Sequence, residues 1–322
     1  MKKKVVIIGG GNGSAVVLRA LKPYVDQLEL SAVISVADSG RTSGRIRQDF
    51  KMVPPSDCMR GVLALSRYDY HMLRDIFFTN RVTSADGLDG HNLGSLFLAW
   101  GTRALNGDVL SSIRMLEQLL QTVGTVYPVT TQQVDLLVEL SDGTTIRGEG
   151  TIDEPLYDRA LETRRVWLEP EGMILPAARD AIITADALIV GPSSIYTSII
   201  STILVGGVRD AIQESPAAIL YVPQAFLDTK GEVGPVTLSG QVRLIEQYLP
   251  RPIDTIVYNT DMTLDRIDEK HGKGRYTILP NDVENLPTHA CIGEKLYHPE
   301  ERMDIDKLGK ILLARIEHSY VS

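Results

Sequence analysis

The chain is read as an α/β protein built on a doubly wound, mostly parallel sheet, with helical additions and a small antiparallel β insertion. Three observations carry that expectation. The β-branched run Lys3 to Ile8 ends in glycines and passes into a helical pattern, short buried apolar runs alternate with helical patterns through the second half, and one stretch alternates about a Ser-Asp-Gly turn.

Taken in order, Lys3 to Ile8 is the first strand, Val17, Leu18 and Leu21 mark one face of the first helix, and Leu28 to Val36 is the second strand. This βαβ unit demands parallel strands and a right-handed crossover. Residues 37–57 read as a long polar loop carrying Asp38, Arg41, Arg45 and Arg47 and closed by Pro54-Pro55, and loops of that length tend to be functional. Helical patterns follow near 59–67, 70–78, 92–105 and 108–122. Val134, Leu136, Val138 and Leu140 meet the turn Ser141-Asp142-Gly143-Thr144, which predicts a hairpin inside an insertion spanning about 125–168. After Pro176 a helix runs to about Asp186, and Ala187 to Val190 is a short buried strand. Further strands are expected at Ala217–Val222 and Thr255–Tyr258, with helices near 206–214, 239–248 and 304–318. With no linker or repeat, residues 1–322 are expected to form one domain.

Composition narrows the function. Of 322 residues, 43% are hydrophobic and 23% charged, enough to bury a core without disulfides. A net charge of −8 argues against nucleic acid or an anionic membrane as partner, since both need a basic field. An anionic ligand must then be held by local backbone donors and a few arginines. Cys58 and Cys291 stand far apart, which excludes a thiolate zinc motif and suits a reducing cytoplasm. The apolar run Val5 to Ile8 is too short for a secretory leader, and no stretch approaches the ~20 apolar residues of a membrane span. No histidine pair has metal-ligand spacing, and no O-rich carboxylate cluster is legible.

Several segments are chemically suggestive. Gly9-Gly10-Gly11-Asn12-Gly13-Ser14 places unshielded amides at a helix N-terminus, suited to a phosphate or else simply a tight turn. Asp38 is placed to hold a ribose, and Ser43-Gly44-Arg45 offers backbone access and a guanidinium to phosphates, or is a solvated loop. Asp57 is either an N-cap or an active-site carboxylate. His91-Asn92 opens an apolar helix, as an acid or base beside a ligand or as a capping pair. Gly191-Pro192-Ser193-Ser194, followed by Tyr196 and Thr197, offers a second anion cradle or a serine-capped helix start. Asn259, at a strand end, is a candidate for reading a base edge.

Jointly these motifs resemble the YvcK/CofD-like family over nearly the whole chain, and most closely its YvcK branch, the gluconeogenesis factors. The motifs are Gly9 to Gly13, Val36 to Arg47 with Pro54-Pro55-Ser56-Asp57, Gly90 to Gly94, Gly148-Glu149 and Gly191 to Ile199. The resemblance implies a Rossmann-like core that binds nucleotides. For the YvcK branch it implies UDP-sugars such as UDP-N-acetylglucosamine, with a regulatory role in gluconeogenic growth, cell-wall synthesis and cell shape. The CofD branch implies instead a divalent-metal-dependent transfer of a phospho group from a nucleotide-linked donor, with Asp38 and Asp57 as candidates to hold Mg²⁺ and His91 as a third candidate catalytic residue. An NAD-type dinucleotide in an oxidoreductase is a further alternative, and a homodimer is a reasonable assembly. This chain departs from the pattern: Ser39 replaces an acidic residue, Arg41 a glycine, Met59 an arginine and Ser193 a glycine. The later stretch Pro223 to Val233 also differs, with Gln241 near the place of a histidine.

Overall fold

The computed structural model describes residues 1–83, 88–261, 274–298 and 303–318, apart from the side chain of Arg41. The chain opens with β1 (Lys3–Gly9), α1 (Gly11–Leu21) and β2 (Leu28–Ile34). Helices α2 (Arg41–Phe50), α3 (Ser56–Leu65), α4 (Tyr70–Arg74), α5 (Leu93–Ala104) and α6 (Val109–Leu119) follow, before β3 (Gly124–Pro128) rejoins the sheet. The insertion holds β4 (Asp135–Leu140), β5 (Thr145–Arg147), the short α7 (Glu149–Asp153) and β6 (Thr163–Glu169). Then come α8 (Pro176–Ile183), β7 (Ala187–Val190) and a wide helical turn, Ile195–Ile200, that runs into α9 (Ser201–Ile203). The remainder is α10 (Val208–Glu214), β8 (Ala218–Tyr221), β9 (Phe226–Asp228), α11 (Leu238–Tyr248), β10 (Thr255–Asn259), β11 (Tyr276–Ile278), β12 (Ala290–Glu294) and α12 (Ile305–His318).

The main sheet has seven strands in the order β12-β10-β8-β7-β1-β2-β3, all paired in parallel. Central β1 is covered on both faces, so Val5 to Ile8 are all buried and the run is continuously apolar rather than alternating. From β1 the chain winds outward through β2 and β3, then returns to β7 on the other side of β1 and winds the opposite way. The β1/β7 boundary is therefore the topological switch point, where open α/β sheets leave a crevice beyond their strand ends. The expected doubly wound Rossmann-like core is present, and a separate three-stranded antiparallel sheet, β5-β4-β6, forms the insertion.

Local readings are corrected in three places. The stretch 37–57 is not a continuous loop: α2 occupies Arg41–Phe50, with Ile46 buried. Its Arg47 reaches out of the helix to the Val134 carbonyl (2.9 Å) and the Asp135 carboxylate (2.7 Å), tying α2 to the insertion. Asp57 is not an N-cap, because it lies in the first turn of α3, whose cap position is Pro55. The insertion starts later than 125, since Gly124–Pro128 is an edge strand of the main sheet paired with β2. Among the described residues no helix is long and apolar enough to cross a membrane.

Candidate functional site

The glycine turn after β1 and the Gly191–Ser198 segment after β7 meet at the switch point and form one body. The Ser193 hydroxyl donates to the Gly10 carbonyl (2.8 Å) and lies 3.3 Å from the Gly10 amide. Gly13 is required by close approach: a Cβ there would stand 1.2 Å from the Pro192 carbonyl oxygen. At Gly10 a Cβ would meet the Asp57 carboxylate at 2.7 Å and the Ser198 hydroxyl at 3.1 Å, and at Gly9 it would meet Ser193 and Ser14. Asn12 is exposed, whereas Ser14 is 0% exposed and its hydroxyl has no hydrogen-bond partner. A fully buried, unsatisfied hydroxyl in the first turn of a helix is costly unless something outside the chain completes it.

The turn is least crowded at Gly11, where φ is +59° and a built Cβ would be in ordinary contact with the Arg60 guanidinium (3.7 Å) and the Asp57 carboxylate (3.8 Å). Asp57 accepts from the Gly11 amide and pairs with Arg60 at 2.5 Å. Burial, together with the neighbouring Asp38, pushes the Asp57 carboxyl up against the opposing pull of Arg60. Arg60 itself lies over the Phe78 ring, 4.2 Å from its centroid.

Asp38 sits opposite, accepting from the Gly40 amide (3.0 Å) and the Ser43 hydroxyl (2.6 Å), which in turn contacts Ser56 (2.9 Å). Gly44 lies on the inner side of α2, where a Cβ would stand 2.6 Å from the Ser39 carbonyl oxygen. Arg45 points the other way and donates to the Asp89 carbonyl. From the insertion, Glu149 approaches the Ser39 amide (3.4 Å). Burial, then Asp38 and Asp153, raise the Glu149 carboxyl to about 9, and Asp153 is raised by burial and by Glu154, Asp228, Asp38 and Asp57. Four carboxyl groups far apart in sequence, Asp38, Asp57, Glu149 and Asp153, are thus near enough to influence one another's titration without forming a ligand cluster. Sequence spacing hid this proximity because the insertion supplies half of the group.

The second cradle has an occupant of its own. Glu232 places its carboxylate on the amides of Ile195, Tyr196 (3.1 Å) and Thr197 (3.2 Å), and burial raises it to about 7 against those hydrogen bonds. Tyr196 and Thr197 are buried beneath it, and the Ser194 carbonyl accepts from Ser198. Nothing local in Gly231-Glu232-Val233-Gly234 signals this role, because it arises from the return of a distant loop.

His91 and Asn92 divide their work. The Asn92 side chain caps α5 through the Ser95 amide (2.7 Å). His91 is 3% exposed, its Nδ1 has no partner, and burial and the Arg45 guanidinium lower its pKa, so its ring is neutral at pH 7. Asn259 stands two strands from β7 and spends its side chain on Asp261 (2.8 Å) and Leu296 (2.8 Å), which shapes the turn after β10.

The donor set suits a hard divalent cation. Burial and mutual repulsion hold protons on these carboxyls, a cation that displaces those protons would relieve the repulsion, and Mg²⁺ takes one or two carboxylates and completes its shell with water and substrate phosphate oxygens. Among the described residues no three such side chains converge to hold an ion unaided. Asp57, against the glycine turn, and Asp38, close enough to raise it, are the residues that would share one with a ligand.

A Rossmann-like sheet with an amide turn, an arginine and neighbouring carboxyls at its switch point places this chain in the class of doubly wound α/β proteins, whose ligands bind in the crevice at that point. A family model described as 2-phospho-L-lactate transferase CofD matches residues 5–291, and the chain belongs to this CofD family. Similar relatives include the gluconeogenesis factor of Bacillus subtilis, 34% identical over 287 residues, covering 88% of this chain and 87% of the relative. That of Halalkalibacterium halodurans is 33% identical over 287 residues, covering 88% and 86%. A crystal structure of a protein from Bacillus halodurans superposes with a TM-score of 0.87 at 29% identity, covering 97% of this chain and 99% of the other.

Proposed function

We propose that this chain is a nucleotide-sugar-binding regulator that takes a UDP-sugar in the β1/β7 crevice. The observation that carries the reading is a pair of buried polar atoms without partners on the two helices that meet at the glycine turn, Ser14 Oγ and Arg60 Nε; such atoms also occur elsewhere among the described residues, on His91 and Thr102. Buried polar groups left unsatisfied beside such a turn are expected where a polar ligand completes them. The ligand's diphosphate lies at the least crowded side of the turn, on the Gly11 amide, and a divalent cation shared with Asp57 and Asp38 offsets the repulsion from those carboxylates. The relatives named gluconeogenesis factor support a role in gluconeogenic growth; the family resemblance of the sequence motifs is what suggests cell-wall synthesis and cell shape as the processes regulated. Isothermal titration with UDP-N-acetylglucosamine and Mg²⁺ tests the reading: saturable binding is expected, and no heat at millimolar ligand refutes it.

The neighbouring carboxyls favour one second reading, a Mg²⁺-dependent transfer of a phospho group from a nucleotide-linked donor, as the family description suggests. Here Asp38 and Asp57 hold the ion, Arg60 offsets charge on the phosphate, and neutral His91 is available as a base. Turnover of such a donor that vanishes in Asp57→Asn, with the fold intact, would establish it. An NAD-type ligand is tested by NADH fluorescence; Asp38, the residue that would hold its ribose, already accepts two bonds from its own loop.

A further inference from the structure

We propose that Arg60 recognises the ligand's phosphate, exchanging Asp57 for it when the crevice fills. The inference rests on the glycine-turn reading and adds a residue that no motif assigned. Position 59, where the resemblance places an arginine, presents nothing to the crevice: Met59 is 0% exposed, and its sulfur lies 1.6 Å from where a Cβ on Gly94 would stand. Arg60, one residue further along α3, is the cation that meets the least crowded side of the turn at Gly11.

Three features suit it to that task. Its planar face is fixed on Phe78, so the fork is held in place before a ligand arrives. Its Nη1 is engaged by Asp57, while its Nε is buried without a partner, which leaves a donor unused. Its side chain is 21% exposed, enough for a ligand to reach. The present partner, Asp57, also accepts the Gly11 amide, so one carboxylate touches the same two donors that an anion at the turn would use. The second sign of a ligand here is Ser14, wholly buried in the first turn of α1 with its hydroxyl unsatisfied.

The test is titration of the full chain, in metal-free buffer, with UDP-N-acetylglucosamine and separately with inorganic pyrophosphate. Proteins compared are wild type, Arg60→Lys, Asp57→Asn and the double variant Asp57→Asn/Arg60→Met, each checked for its melting temperature. Asp57→Asn removes the competing carboxylate and is expected to bind both probes more tightly than wild type. The double variant, which leaves no unpaired buried charge, is expected to bind about tenfold or more weakly than Asp57→Asn, the scale of a lost charge-assisted pair. Arg60→Lys, which keeps charge but loses the fork, should fall below wild type. Equal affinity of Asp57→Asn and the double variant would overturn the proposal, because Arg60 would then serve only to neutralise Asp57. If wild type binds pyrophosphate but not the UDP-sugar, and still does not bind the UDP-sugar when millimolar Mg²⁺ is added, the nucleotide-sugar reading falls while Arg60 is still tested; if no protein binds either probe with or without Mg²⁺, both fall.

Discussion

Replacing Glu149 by glutamine perturbs the electrostatics of the site at its most strained group. The Glu149 carboxyl is raised from 4.5 to about 9, first by burial and then by Asp38 and Asp153. In the unfolded chain it releases its proton near its ordinary value, so between those two pH values the folded state holds a proton that the unfolded state does not. The stability this gives is full below the unfolded pKa and is lost as pH rises through the folded one. Taken whole, the shift from 4.5 to about 9 corresponds to ~6 kcal/mol at roughly 1.4 kcal/mol per pKa unit. The group is only partly buried, and screening by water reduces this to ~2–3 kcal/mol. Glutamine keeps the shape and an acceptor for the Ser39 amide without the charge. Glu149→Gln should therefore match wild type at about pH 5 and melt roughly 3–5 °C higher at about pH 9, using the ~1.5 °C per kcal/mol that an unfolding entropy of ~2.1 cal/mol/K per residue gives a chain of 322 residues. Calorimetric melting points taken across that range provide the assay. Parallel pH profiles for the two proteins, or a variant less stable at high pH, would refute the reasoning.

Other consequences follow from the same geometry. Gly13→Ala forces its methyl group into the Pro192 carbonyl, so a loss of ~1–3 kcal/mol or more in denaturant melts is expected, along with weakened nucleotide binding. Glu232→Ala strips the amides of Ile195, Tyr196 and Thr197 of their acceptor and should cost about 2–4 kcal/mol, seen also as faster hydrogen exchange at those three amides. Asn92→Ala removes the α5 cap and should lower stability by about 1 kcal/mol in the same melts. Millimolar Mg²⁺ should raise the melting point at pH 8 by quieting the neighbouring carboxyls, and Asp38→Asn/Asp57→Asn should abolish that rise.

Where local pattern decided structure, the sequence was readable. The run Lys3 to Ile8 and its glycines forecast β1, the turn and α1 because a continuous apolar run marks a strand buried on both faces and the glycines mark its end. Helix α2 escaped notice because its apolar face is little more than Ile46 and Phe50, and the contact that ties it down, Arg47 to the insertion, is between residues far apart in sequence. Strand β12 was missed for a related reason: it is an edge strand, exposed at Ala290, Gly293 and Glu294, with no alternation to read. The backbone parts of the site were legible, since glycines announce close approach. Its charged parts were not, because Glu149, Asp153 and Glu232 reach it from the insertion and from a loop after β9, and no spacing along the chain encodes such meetings. The Asp57–Arg60 pair left one trace, an i,i+3 spacing on α3 that is also common on solvated helices.

The most direct test is a crystal grown with UDP-N-acetylglucosamine and Mg²⁺, examined by difference density in the crevice between β1 and β7. Diphosphate density within hydrogen-bond reach of the Gly11 amide and the Arg60 guanidinium is the expected result. A ligand bound elsewhere, with Asp57 still seated on Gly11 and Arg60, would contradict the account.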